Sequence, residues 1–170
     1  MAIWWRSRFA RLVFGPFVLG LGFSGAAAVY PPQVAASTVG QYYWSDVRTG
    51  YAIGGYDPVA YFVDAEPRLG SRDFEYDWQG VTWRFVSAAN RAVFVRNPKV
   101  YAPQYGGYGA EGVAQGVLSE GSPFNWLIYE DRLFLFTGAR QRAIWRDETG
   151  FRRGRANGNW PKINGGLVRG

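Results

Sequence analysis

The pattern between Phe74 and Phe85 constrains the fold of this chain more than any other feature. Phe74-Glu75-Tyr76-Asp77-Trp78 alternates aromatic with acidic side chains, the period of a strand with one solvated face. Gln79-Gly80 supplies a two-residue turn, and Val81-Thr82-Trp83-Arg84-Phe85 returns with β-branched and aromatic residues. This predicts an antiparallel hairpin. A second hairpin is predicted from Trp126-Leu127-Ile128-Tyr129 through Glu130-Asp131 to Arg132-Leu133-Phe134-Leu135-Phe136. Between the two, Ser87 is a helix N-cap and Pro98 a stop, so residues 88–97 read as a helix, with Ala89, Ala92, Val93 and Phe94 available for one buried side. Asp57-Pro58 is a turn ahead of Val59–Val63, a short strand or a helical turn. A last helix over 139–148 breaks near Gly150 and gives way to a tail ending at Asn159-Trp160-Pro161. No internal repeat is evident. The fold class is α+β, a small single domain with two β-hairpins packed with two or three helices.

The core has to come from aromatics, and the chain holds Trp 8, Tyr 11 and Phe 12. There is no Cys and no His, which removes thiolate nucleophiles, imidazole bases and Cys/His zinc sites from the available chemistry. A metal site would need oxygen ligands only, and no cofactor or metal is expected. The net charge of +6 is uneven. Residues 29–137 hold 8 basic and 11 acidic residues, whereas 138–170 hold 8 basic and 2 acidic. A nucleic-acid face would concentrate the excess on the folded body, so no nucleic-acid partner is expected. Arg140, Arg142, Arg146, Arg152, Arg153 and Arg155 read as the solvated side of a helix.

Residues 1–28 have the order of an export signal: Arg6, Arg8 and Arg11, an apolar run from Leu12 to Phe23, then Ala26-Ala27-Ala28. The expectation is a periplasmic or secreted protein, the alternative an uncleaved N-terminal anchor as the sole membrane attachment. Residues 29–40 read as a linker, 41–163 as the domain and 164–170 as a flexible tail.

Several short blocks occur in order: Tyr56-Asp57-Pro58-Val59-Ala60-Tyr61-Phe62, Gly70-Ser71, Trp83-Arg84-Phe85, Asn90-Arg91, Tyr101-Ala102-Pro103-Gln104-Tyr105-Gly106-Gly107-Tyr108, Trp145 and Asn159-Trp160-Pro161. The ordered set resembles the YHS family of small domains, in its exported, stand-alone type. The resemblance implies a poorly characterised domain whose relatives handle heavy metals through cysteines. Members most like this chain place a Cys directly after Gly-Gly-Tyr; here that position is Gly109.

Asp57, Tyr61, Tyr105, Tyr108 and Gly109 are the candidate ligand-binding residues. Asp57, Tyr105 and Tyr108 are expected to converge on one concave site that Gly109 leaves open. The structural alternatives are a turn carboxylate for Asp57 and core packing for the tyrosines. Asp73, Glu75 and Asp77 read as a solvated strand face rather than a calcium loop. The expected function is a small-ligand binding or accessory module without catalysis. Its alternatives are an interaction partner in an envelope complex or an enzyme built on carboxylates such as Asp57 or Glu111.

Overall fold

The computed structural model describes residues 42–167. The segments read as export signal and linker, and the end of the tail, lie outside the described residues.

Both hairpins form. β1 (Ser71–Trp78) pairs antiparallel with β2 (Val81–Phe85), and β3 (Ser122–Tyr129) with β4 (Arg132–Phe136). Each turn has two residues in the left-handed region, Gln79 (φ 53°) with Gly80 (φ 74°), and Glu130 (φ 47°) with Asp131 (φ 53°). Such turns match the twist of the strands they join. The helices are α1 (Ala60–Val63), α2 (Ala88–Arg96), α3 (Pro98–Tyr101), α4 (Ala110–Ala114), α5 (Ala139–Asp147) and α6 (Thr149–Asn164). The α+β class is as expected, with more helices than the two or three anticipated because short turns such as α1, α3 and α4 close into helix. Ser87 Oγ caps α2 by accepting from Asn90 N at 3.1 Å. The buried side of α2 is narrower than expected: Phe94 is fully buried and Val93 partly, while Ala89 and Ala92 are exposed.

Beyond Gly150 the chain is helical, not a tail. Gly150, Gly154, Gly158 and Pro161 all disfavour helix, and tertiary contacts override them. Ala156 is fully buried. Asn159 Nδ2 donates to the carbonyls of Val113 and Ala114 at 3.1 Å each. Arg152 spans Glu111 and Glu148, joining α6 to α4. Ile163 and Leu167 also pack on the core beneath.

The structure contains an internal repeat that the sequence reading missed. Ile53-Gly54-Gly55 (φ 45°, 67° and 82°) and Tyr105-Gly106-Gly107 (φ 53°, 63° and 81°) form the same left-handed turn. Three consecutive residues at φ > 0 are sterically tolerable mainly because two are glycine. Each turn leads to a tyrosine, to a bridge (Tyr56 with Leu69, Tyr108 with Glu120), to a short helix, to a hairpin and to a further helix. Both hairpins slip register at the same place, after Ser71 and after Ser122, which stand 51 residues apart. At that same offset lie the two aromatic triads that anchor helix to hairpin. Phe94 of α2 packs on Trp83 (5.0 Å) and Phe85 (5.2 Å). Trp145 of α5 packs on Phe134 (5.6 Å) and Phe136 (5.7 Å).

β4 is the wall between the two halves. Leu133 and Leu135 enter the first aromatic core, and Phe134 and Phe136 enter the second. A strand covered on both faces loses polar alternation, which is why Leu133-Phe134-Leu135-Phe136 is one apolar run.

Candidate ligand groove

Three concavities run into one another across the described body. The largest, about 510 Å³, is lined by aromatics including Tyr43, Trp78, Tyr105 and Trp160, with the amides of Gln79, Gln104 and Asn157. It shares Trp78, Gln79 and Lys99 with a neighbour of about 300 Å³ that also holds Arg96. It shares Gln104, Tyr105 and Asn157 with another of about 340 Å³ that holds Glu130, Arg132 and Arg153. The resulting groove passes from the tip of the first hairpin to the tip of the second.

Five segments build it. Trp78 closes β1, and its ring meets Tyr43 at 5.1 Å and Phe94 at 5.6 Å. Pro98 opens α3 where its missing N–H has no helical partner to lose, and the next residue is Lys99. The left-handed turn at Tyr105 presents that ring between Trp160 (5.8 Å) and Phe134 (5.9 Å). Arg153, Asn157 and Trp160 share one face of α6 by their four- and three-residue spacing. The Tyr105 hydroxyl donates to Asn157 Oδ1 at 2.8 Å, which leaves the Asn157 Nδ2 group available to a ligand. The side-chain amides of Gln79 and Gln104 form no hydrogen bond among the described residues, and Arg96, Lys99 and Arg132 form no ion pair there. Arg153 pairs with Glu130 and lies 5.5 Å from the Tyr129 ring.

Of the five residues singled out in the sequence, Tyr105 alone lines this groove. Asp57 is fully buried elsewhere. Its Oδ1 accepts from Val59 N (2.8 Å) and Ala60 N (3.3 Å), and its Oδ2 from Val86 N (2.9 Å) and Asn90 Nδ2 (2.8 Å). The turn reading of Asp57 describes this; the carboxylate also joins α1, β2 and α2. Tyr61 belongs to the first core, donating to the Pro123 carbonyl at 3.0 Å with its ring 5.4 Å from Trp126. Tyr108 belongs to the second core, 6.4 Å from Trp160. Gly109 sits where the repeat places Asp57: Asp57 N donates to Arg68 O, and Gly109 N to Ser119 O, at 2.8 Å in both cases. A Cβ on Gly109 would stand 2.8 Å from both Ser119 Oγ and Thr137 Oγ1, which are 3.1 Å apart. The space is therefore occupied by a hydroxyl pair rather than open.

Glu111 is buried too: its Oε1 takes Arg152 Nη1 at 2.5 Å and Gln115 Nε2 at 2.8 Å, while its Oε2 is buried with no hydrogen-bond partner among the described residues. On β1, Glu75 pairs with Arg84 and Asp77 accepts from Thr82, as a strand face does. The groove residues that sequence reasoning missed include Trp78, Gln79, Arg96, Lys99, Gln104, Arg132, Arg153, Asn157 and Trp160. A helical reading past Gly150 would have placed Arg153, Asn157 and Trp160 together. Compared with known protein families, curated proteins and solved structures, the chain has no match. Among the described residues no helix is long and apolar enough to cross a membrane.

Burial raises the pKa of four tyrosines, because the phenolate loses hydration. Tyr105 is pushed up to about 12, with Arg153 opposing the shift. Tyr43 and Tyr61 are pushed higher, with Tyr42 adding to burial at the first and Tyr56 and Asp57 at the second. Tyr108 is raised by burial and then by Glu120. A raised folded-state value means stability is complete below the unfolded value of about pH 10 and is lost as pH climbs through the folded values. The expected result is a cooperative alkaline transition, in which these tyrosines ionise together with loss of far-ultraviolet dichroism. Smooth titration of these four tyrosines near about pH 10 with an intact fold would contradict it.

Proposed function

We propose that this chain is an exported ligand-binding module of YHS type that works without catalysis. The observation that carries the reading is the groove: buried and half-buried aromatic walls, three amides with donors to offer and the cations Arg96, Lys99 and Arg132 without ion-pair partners among the described residues. Apolar walls with a few convergent polar groups are the usual make-up of a ligand site. The carboxylates an enzyme would need support the same reading. Asp57 and Glu111 are buried away from the groove with structural partners, and Glu130 is tied to Arg153. The ordered blocks from Tyr56 to Pro161 support the YHS type, and Arg6 to Ala28 supports export.

Native mass spectrometry of the protein purified from its own compartment tests this. The expected result is a retained small molecule in the wild type and its loss in Lys99→Glu, a change at an exposed side chain that leaves both cores alone. No retained species in either protein would count against the module. A second reading, an interaction partner in an envelope assembly, is favoured by one patch. Leu69 and Phe124 are 63% and 62% exposed, and Phe124 meets the Tyr56 ring at 5.2 Å. A retained polypeptide in place of a small molecule would support that reading.

A further inference from the structure

We infer that the groove binds an oligosaccharide strand in which carboxylated sugars are separated by neutral ones. The inference rests on the binding-module reading and names the ligand of that same site.

Charge comes first. The groove holds Arg96, Lys99, Arg132 and Arg153 against one acid, Glu130. Elsewhere residues 42–167 hold eleven basic and twelve acidic side chains, so the positive excess of the folded body lies in the groove. The ligand is therefore anionic. Distribution comes second. Arg96 and Lys99 stand toward one end and Arg132 and Arg153 at the other. Apart from Lys99, which the largest concavity shares with the Arg96 end, the wall between is neutral and hydrogen-bonding: Gln79, Gln104 and Asn157 with Tyr105 and Trp160. A phosphodiester strand carries a charge at every residue and is met by a continuous basic track. Here the charges are separated by a neutral stretch.

Shape comes third. The concavities connect through shared walls, as suits a strand longer than one ring. Sugar rings present apolar C–H faces to aromatic walls such as Trp78 and Trp160. Their hydroxyl and acetamido groups accept from the Gln79, Gln104 and Asn157 amides, which have donors to spare. Carboxylates spaced along the strand reach the guanidinium and ammonium groups at the two ends.

The test is calorimetric and fluorimetric titration of the full chain with three probes of equal length. These are a hyaluronan hexasaccharide (alternating uronate and N-acetylhexosamine), chitohexaose (N-acetylhexosamine alone) and hexathymidylate. The hyaluronan hexasaccharide is expected to bind about tenfold more tightly than chitohexaose, the effect of one or two charge-assisted contacts. Raising salt should narrow the gap, and Lys99→Gln with Arg132→Gln should remove it. Both side chains are exposed, so the double variant is expected to fold. Equal binding of the two sugars, or tighter binding of hexathymidylate, would overturn the carboxylated-strand inference while leaving the groove a binding site. Binding of none of the three would overturn it too, and the retained-species experiment would then decide the module reading by itself.

Discussion

Replacing Asp57 by alanine is expected to cost about 4 kcal/mol of folding stability, a large part of the ~5–15 kcal/mol a small domain holds. The carboxylate is fully buried and accepts four hydrogen bonds. Alanine removes every acceptor and leaves the donors of Val59 and Ala60 in the core and those of Val86 and Asn90 at its half-buried edge, the buried ones at a desolvation cost of ~1–3 kcal/mol each before relaxation. Asp57→Asn should be intermediate, at about 2 kcal/mol, for a geometric reason. Asparagine keeps one oxygen, enough for Val59 and Ala60, but turns an NH2 toward Val86 N and Asn90 Nδ2. The Asn90 amide can flip to accept; the Val86 backbone N–H cannot. Urea denaturation with unchanged slope is the measurement. Wild-type stability in Asp57→Asn would show that the carboxylate is not the structural tie described above.

The hairpins were legible because their signals are local. A two-residue turn flanked by aromatic and β-branched residues fixes pairing within a dozen positions. The turn role of Asp57 was legible for the same reason, since Asp before Pro bonds its own neighbours. Its long bond to Asn90 was not, because nothing in sequence ties positions 33 residues apart. α6 was hidden by its glycines and Pro161, whose propensities are outweighed by Ala156, Asn159 and Arg152 packing on α4. The groove was hidden because its walls come from five separated segments. The residues that build its cationic ends carry no local pattern at all.

The repeat was hidden by exchange of chemistry at equivalent places. The first hairpin sets Glu75 opposite Arg84, an ion pair whose arginine is largely covered; the second sets Trp126 opposite Leu135. Trp83 and Phe94 of one triad correspond to Phe134 and Trp145 of the other, so the large ring changes sides. Asp57 corresponds to Gly109, where two hydroxyls replace one carboxylate. Each exchange conserves packed volume or bonding capacity across neighbours rather than identity at a position.

The two halves should nevertheless fail in the same way at one pair of glycines. Gly70 and Gly121 precede the two register shifts, where the incoming strand presses on the returning one. A Cβ on Gly70 would stand 2.5 Å from the Arg84 carbonyl carbon and 2.6 Å from Phe85 N. On Gly121 it would collide with the Gly107 carbonyl oxygen and lie 2.8 Å from Leu135 Cβ. These are mostly backbone atoms, so no rotamer change relieves them, and the strand has to move. Gly70→Ala and Gly121→Ala are each expected to destabilise by about 3 kcal/mol, the upper end of overpacking costs. Gly150→Ala, Gly154→Ala and Gly158→Ala are the controls. They lie within α6, have nothing within 4 Å of an added Cβ and do not need positive φ. Each should stabilise by about 0.5–1 kcal/mol, because alanine forms helix better than glycine. One substitution type thus changes sign with position, and thermal unfolding of the five variants reads it directly. If Gly70→Ala or Gly121→Ala melts with the wild type, the close approach of the strands at that end of the hairpin is wrong.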